Sequence, residues 1–324
     1  MPSLADALAA IILASLTAYV LLGGADFGGG VWDLLASGPR QARQRDLIAH
    51  AIGPVWEANH VWLILAMVLL FTCFPRAFAS IAIALHVPLT LMLIGIVLRG
   101  SAFVFQNYGG GGGRVFATAS LITPVLLGTT VGAVAAGAVG EWGKGKCDGF
   151  YGGYIAPWLT PFDLAVGLFA LAAFAFLAAV YLTLEAKDAE LQEDFRRRAI
   201  AAGAALVAMA VLGLAVFPEA PPVNQRVVAL TAAAALAAFW SLSRRRYKRA
   251  RIAAAAQVTL IVWGWGLAQY PYLVPPVFTI SDAAAPDITL KLALIAVLAG
   301  AVVLFPSLYY LLRVFKGNRA LKGL

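Results

Sequence analysis

The stretch Gly53-Pro54-Val55-Trp56-Glu57-Ala58-Asn59-His60-Val61-Trp62 places a carboxyl, a carboxamide, an imidazole and two indoles in otherwise apolar chain. On a helix, Trp56 and Glu57 precede His60 by four and three residues, so the three side chains share one face. Gly53, one turn before Glu57, leaves room for a neighbouring helix. If the apolar segment begins near Leu47, Glu57 lies roughly 15 Å deep at 1.5 Å per residue, where a charge is expensive and tends to face a partner or a water path. Such a carboxyl can carry protons between an aqueous face and a buried centre. It can equally be half of a Glu57–His60 pair that only holds helices together, and the residues alone leave both readings open.

Three further polar positions invite the same question. Asp26 sits in Gly23-Gly24-Ala25-Asp26-Phe27-Gly28-Gly29-Gly30, near the predicted cytoplasmic end of the first apolar segment, where it could lead protons toward Glu57. Each glycine costs about 1 kcal/mol in a helix interior, so the run points to close packing against another helix or subunit. Arg99 closes the third apolar segment and is expected either to snorkel to phosphate or to pair with a carboxylate. His60 and His86 fall near the middle of consecutive antiparallel segments, as a bis-histidine haem would require, although hydrogen-bonded intramembrane histidines fit the same pattern. His50 reads as interfacial.

The elements that must position these groups follow from composition. Of 324 residues, 62% are hydrophobic and 12% charged, about half the charge of a soluble domain. A chain of this kind needs lipid as its solvent, and in lipid every backbone amide must be satisfied within a helix or a closed barrel. Long apolar runs without period-two alternation choose helices. At about 20 residues per crossing, spans are predicted near residues 4–24, 47–71, 77–98, 115–138, 161–184, 199–217, 227–243, 252–271 and 288–312. The first stretch lacks the basic start of a signal peptide and is expected to remain a membrane helix.

With the N-terminus outside and the C-terminus cytoplasmic, 19 of the 24 Lys and Arg residues fall inside, as the positive-inside rule demands. The net charge of +8 is thus a topology signal and not a nucleic-acid footprint. The expected fold is an all-α polytopic membrane protein of about nine transmembrane helices in a bacterial or archaeal cytoplasmic membrane. It forms one transmembrane domain, 1–324. Thr123-Pro124 and Thr160-Pro161 hint at two four-helix bundles, about 4–138 and 161–271, followed by a final helix, about 288–312. The loop 140–160 is the longest expected outside, 185–198 reads as a solvated helix extension, and Gly109 to Gly113 reads as a flexible linker. Cys73 and Cys147 share the outer side, which permits a disulfide.

The run Gly24-Ala25-Asp26-Phe27-Gly28 resembles the GFDxG element of cytochrome bd oxidase subunit II. Pro54, Trp56, Glu57, Asn59, Val61, Trp62 and Leu63 resemble that family's P-x-W-[DE]-x-N-x-V-W-L signature. Arg99 ends the third span as the family's arginine does, and Pro161-Phe162 with Leu164 and Gly167 is similar to its N-P-F-x-L-x-x-G element. Two positions depart from the pattern: Gly23 stands where many members carry an acid, and His60 where Gln is frequent.

The resemblance implies a non-catalytic second subunit of a quinol:oxygen oxidoreductase. Its larger companion, subunit I, would carry two b-type haems and one d-type haem and would oxidise quinol. Glu57 and Asp26 become proton-pathway candidates, with Trp56, Asn59, His60 and Arg99 as supporting polar or packing residues. Trp62 matches a tryptophan beside a dioxygen path. A bound quinone and a small single-span accessory subunit are compatible with the same reading. The rival readings are a proton-coupled secondary transporter using Glu57, Asp26 and His60, and a membrane cytochrome built on His60 and His86.

Overall fold

The computed structural model describes residues 3–107, 112–142, 149–217 and 224–321, with side chains described outside 53–58, 106–107, 141–142 and 311–321. Eight helices among these residues are long and apolar enough to cross a bilayer: α1 (Leu4–Leu34), α4 (His86–Asn107), α5 (Gly113–Ala135), α8 (Pro161–Glu185), α9 (Ala189–Val216), α10 (Gln225–Ser243), α11 (Tyr247–Gln269) and α13 (Asp287–Leu321). The last part of α2 (Gln41–Cys73), Asn59–Cys73, meets the short α3 (Pro75–Ala84) at a bend of 118°, and this bent pair, counted as one span, would make a ninth. The expected polytopic helical architecture is therefore present.

Two boundaries differ from expectation. The first helix does not stop at 24 but runs through the glycines to Leu34, because tertiary packing offsets their poor propensity. The third crossing begins at His86, and residues 75–84 form a separate helix. Pro75 has no N–H and starts α3 as its first residue. Pro88 would clash with the carbonyl four residues earlier, at Ala84, if α3 ran on into α4, so the chain breaks at Leu85.

The connections at one end of the bundle contain α6 (Ala138–Trp142), α7 (Gly149–Tyr154) and a small antiparallel pair, β1 (Tyr272–Val274) with β2 (Phe278–Thr279), followed by α12 (Ile280–Ala283). The pair was not foreseen. It packs over this end of the bundle, where Val274 is fully buried and Arg76 lies 5.0 Å over the Phe278 ring. Cys73 is buried at the end of α2, whereas Cys147 lies outside the described residues.

At the opposite, basic end, α9 starts at Ala189, so 189–198 is a helix extension as expected. Arg40 donates to both carboxylate oxygens of Asp194 at 2.7 and 2.8 Å, and Arg43 pairs with Asp188. Gln44 bridges Asp194 (2.9 Å) and Arg198 (2.8 Å), which ties the start of α2 to α9.

Two apolar clusters fill the bundle. One, toward the basic end, contains Val31, Ile48, Phe116, Phe176 and Phe195; the other, toward the hairpin end, contains Leu8, Leu69, Phe74 and Val274. Between them Tyr19, Phe27 and Phe174 form a small aromatic cluster. The candidate polar residues lie at this level.

Candidate functional site

The site is set by how closely the helices around α1 approach. A Cβ on Gly28 would stand 2.1 Å from the carbonyl oxygen of Phe174 on α8, and one on Gly30 would stand 2.1 Å from Ser120 Oγ on α5. The bare flank of α1 therefore lets α5 and α8 close on it, and Asp26 ends up 0% exposed. The close packing expected of the glycines is found within this chain.

Arg99 reaches Asp26 from α4. Its Nη1 donates to Asp26 Oδ2 at 2.9 Å, and its Nη2 donates to Oδ1 at 2.6 Å and to the Asp26 carbonyl oxygen at 2.8 Å. Its Nε donates to Ser120 Oγ at 3.0 Å, and that hydroxyl donates onward to the Phe116 carbonyl oxygen at 2.7 Å. The rings of Phe27 and Phe116 each lie 4.8 Å from the guanidinium carbon, adding cation–π attraction in a dry setting. Bidentate geometry and further donors are what a charge pair needs to survive away from water.

Arg99 is 1% exposed, so its guanidinium is held inside the bundle and not at an exposed helix end. Helix α4 continues to Asn107, and the lengthened α1 keeps Asp26 level with Arg99. Of the two roles considered for Arg99, the carboxylate partner is the one realised.

Helix α2 brings the rest. Asn59 is fully buried and packs on Gly23, where an added Cβ would lie 3.1 Å from its Nδ2. The His60 ring stands edge-on to Tyr19 and Phe27, with centroids 6.2 and 6.4 Å apart. His60 and Arg99 also line a groove of about 660 Å³ on the flank of the bundle, together with Val97, Ser101, Val104 and Phe105. Val97 and Phe105 are 57% and 62% exposed, so the groove opens away from the bundle. Trp62 is half-buried beside the central aromatic cluster, 6.3 Å from the Phe305 ring of α13. The side chains of Trp56 and Glu57 lie outside the described residues; the backbone places both within α2.

The two histidines considered as a haem pair are not at one level. His86 is the first residue of α4, exposed, with its ring 4.9 Å from Tyr154. From His60, α2 runs on to Cys73 before turning, about 20 Å of helix. The midplane placement expected of His86 is thus corrected by the late start of α4, and the facing arrangement that bis-histidine ligation needs is not formed. His50 is exposed, its ring nitrogen 2.8 Å from the Asp46 carbonyl oxygen.

Ser120, Phe116 and Tyr19 were not singled out from sequence, and Phe27 only as part of the glycine-rich run. Asp26 and Arg99 did carry a usable signal: one anion and one cation inside apolar spans, each too costly alone. Nothing in the sequence marked Ser120 beyond its being polar in such a span. The Pro161-Phe162 element has a structural reading: Thr160 caps α8 through a reciprocal capping box with Asp163. Six residues on from Pro161, Gly167 meets Gly128 of α5 so closely that a Cβ on Gly128 would stand 2.6 Å from its Cα.

A family model described as cytochrome bd terminal oxidase subunit II matches residues 4–315. A Bacillus subtilis (strain 168) protein described as cytochrome bd ubiquinol oxidase subunit 2 is 32% identical over 107 residues, 33% of this chain and 31% of that one. The cytochrome bd-I ubiquinol oxidase subunit 2 of Escherichia coli (strain K12) is 25% identical over 215 residues, 62% of this chain and 53% of that one. The matched stretches thus span about a third to a half of those relatives. A solved chain of the bd oxidase from Geobacillus thermodenitrificans shares the fold with a TM-score of 0.81 at 23% identity, covering 96% of this chain and 98% of that one. With nearly its whole length matched, this chain belongs to the cytochrome bd terminal oxidase subunit II family.

Proposed function

We propose that this chain is the second, non-catalytic subunit of a membrane quinol:oxygen oxidoreductase, docked on a haem-bearing subunit I. In that assembly two quinols yield four electrons and four protons, and one dioxygen takes up four of each to give two waters. The two b-type haems and the d-type haem belong to the companion, and the histidines described here do not converge on a shared ligand position. With the basic end of the bundle cytoplasmic, protons for water would be drawn from that side and quinol protons released on the other, in a bacterial or archaeal inner membrane.

This chain's own contribution is to place charge and polarity deep in lipid. The observation that carries the reading is the Asp26–Arg99–Ser120 cluster, buried between two apolar layers, with Arg99 also facing the groove that holds His60. A flank with an arginine and an imidazole in its recess is poorly suited to lipid alone, which supports docking of the companion there. Glu57 is the proton carrier in this reading, Asp26 and Arg99 hold the polar level at which it works, and Trp62 borders dioxygen access.

The test is to purify the chain from its native membrane and record copurifying polypeptides, a reduced-minus-oxidised spectrum and quinol-dependent oxygen uptake. A larger haem-bearing companion and oxygen uptake are expected; transport by the chain alone, with neither, would overturn the reading. Within the complex, Glu57→Ala is expected to lower turnover while haem content stays that of wild type. Unchanged turnover would return Glu57 to packing.

A further inference from the structure

We infer that the turn joining α10 to α11 is a binding site for an anionic phospholipid. Residues 244–251 carry six cations, Arg244, Arg245, Arg246, Lys248, Arg249 and Arg251, and the chain has no Asp or Glu between Glu219 and Asp282. Among the described residues, the carboxylate that forms an ion pair with a cation of this turn is Glu193 of α9. It already accepts from Arg196 at 2.6 Å and Arg197 at 3.3 Å, and it meets Arg245 at 3.4 Å. Among the described residues, Arg244, Arg246, Lys248 and Arg249 make no ion pair, and all four are exposed.

The backbone gathers these charges instead of spreading them along a helix. Arg245 takes a left-handed conformation, φ 55°, which closes the turn. The Arg246 N–H donates to the Ser241 carbonyl oxygen at 2.8 Å, so the ends of both helices lie side by side.

A phosphate alone would satisfy the cations, but the flank just below them is built for acyl chain. The Arg246 guanidinium carbon stands 5.0 Å over the ring of Trp240, itself 49% exposed. One turn deeper on α10 is Leu236, 70% exposed, and one turn beyond Lys248 on α11 is Ile252, 71% exposed. Exposed apolar side chains directly beneath a cation cluster, with an indole at the boundary, fit a ligand that is anionic at one end and hydrocarbon at the other. This separates the turn from the less basic start of α2, where Arg40 and Arg43 are already engaged by Asp194 and Asp188.

The experiment uses the protein in whatever assembly it is purified with, and its readout is lipid, so it is independent of oxidase activity. The sample is washed in detergent, and bound lipids are extracted and counted by mass spectrometry. Wild type is expected to retain phosphatidylglycerol or cardiolipin, and the triple variant Arg246→Gln, Lys248→Gln, Arg249→Gln to retain at least about tenfold less. Lys187→Gln, an exposed cation elsewhere on the same end, should match wild type. Arg245 is left in place because it also reaches Glu193.

Should the triple variant not fold, Trp240→Ala keeps every cation and is expected to lower retention, and wild type itself supplies the competition. Phosphatidylglycerol nanodiscs should raise its thermal midpoint above that in phosphatidylcholine nanodiscs. Equal retention by the folded triple variant, equal midpoints in the two lipids, or displacement of the bound species by inorganic phosphate alone would each overturn the site.

Discussion

At the scale of single residues, the Asp26–Arg99 pair decides what the core can tolerate. Removing one member of a buried ion pair leaves the other uncompensated and costs about 3–5 kcal/mol, whereas replacing both is often close to neutral. Asp26→Asn is therefore expected to lower the thermal midpoint of the purified complex sharply. Asp26→Asn with Arg99→Met should recover most of that midpoint without recovering turnover. If the double variant turns over like wild type, the pair is a structural fastener only. The pair was half legible beforehand. The expense of a lone charge in lipid flagged both residues, but their shared level depended on α1 running ten residues past its predicted end. That extension came from packing partners 90 or more positions away in sequence, Ser120 and Phe174, which no local pattern reports. His86 shows the converse: its depth was inferred from a continuous apolar run, and Pro88 moved the start of the helix under it.

Among the elements, α1 and α8 meet along a close seam at Gly28. Gly28→Ala would drive a methyl into the Phe174 carbonyl, and a forced shift of this kind costs about 1–3 kcal/mol or more. A lower thermal midpoint and poorer yield of the complex are the expected readouts. Gly213→Ala, where an added Cβ meets nothing within 4 Å, should be neutral or slightly stabilising because alanine is the better helix former. Equal behaviour of the two variants would mean that the seam adapts. Crossing segments were easy to read because apolar length is written directly in composition. The bend at Phe74, the β1–β2 hairpin and the short helices beside it were not, since proline sterics and end-of-bundle packing carry little hydropathy signal.

For the molecule as a whole, a central polar level lies between two apolar clusters, with a charged lattice at one end and a hairpin at the other. The two halves suggested by the sequence share one of those clusters, since Val31, Phe116, Phe176 and Val258 belong to it together. The spacing of the central pair along the chain also bears on how the protein is made. Asp26 is synthesised 73 residues before Arg99, a delay of about 4–15 s at 5–20 residues per second. For that interval the nascent chain holds an acid whose guanidinium does not yet exist, and burial without it is prohibitive. The glycine-rich end of the first helix is then expected to wait at the aqueous boundary, or in the insertion machinery, and to settle into place when the fourth helix emerges. Ribosome-stalled chains carrying Asp26→Cys in an otherwise cysteine-free background give no information on the acid itself, so the probe belongs at Ala25→Cys. Water-soluble maleimide should label it in chains stalled before residue 99 and fail to label it in chains released well beyond. Protection already complete in the shorter chains would show that the ribosome's order of delivery places no constraint on this fold.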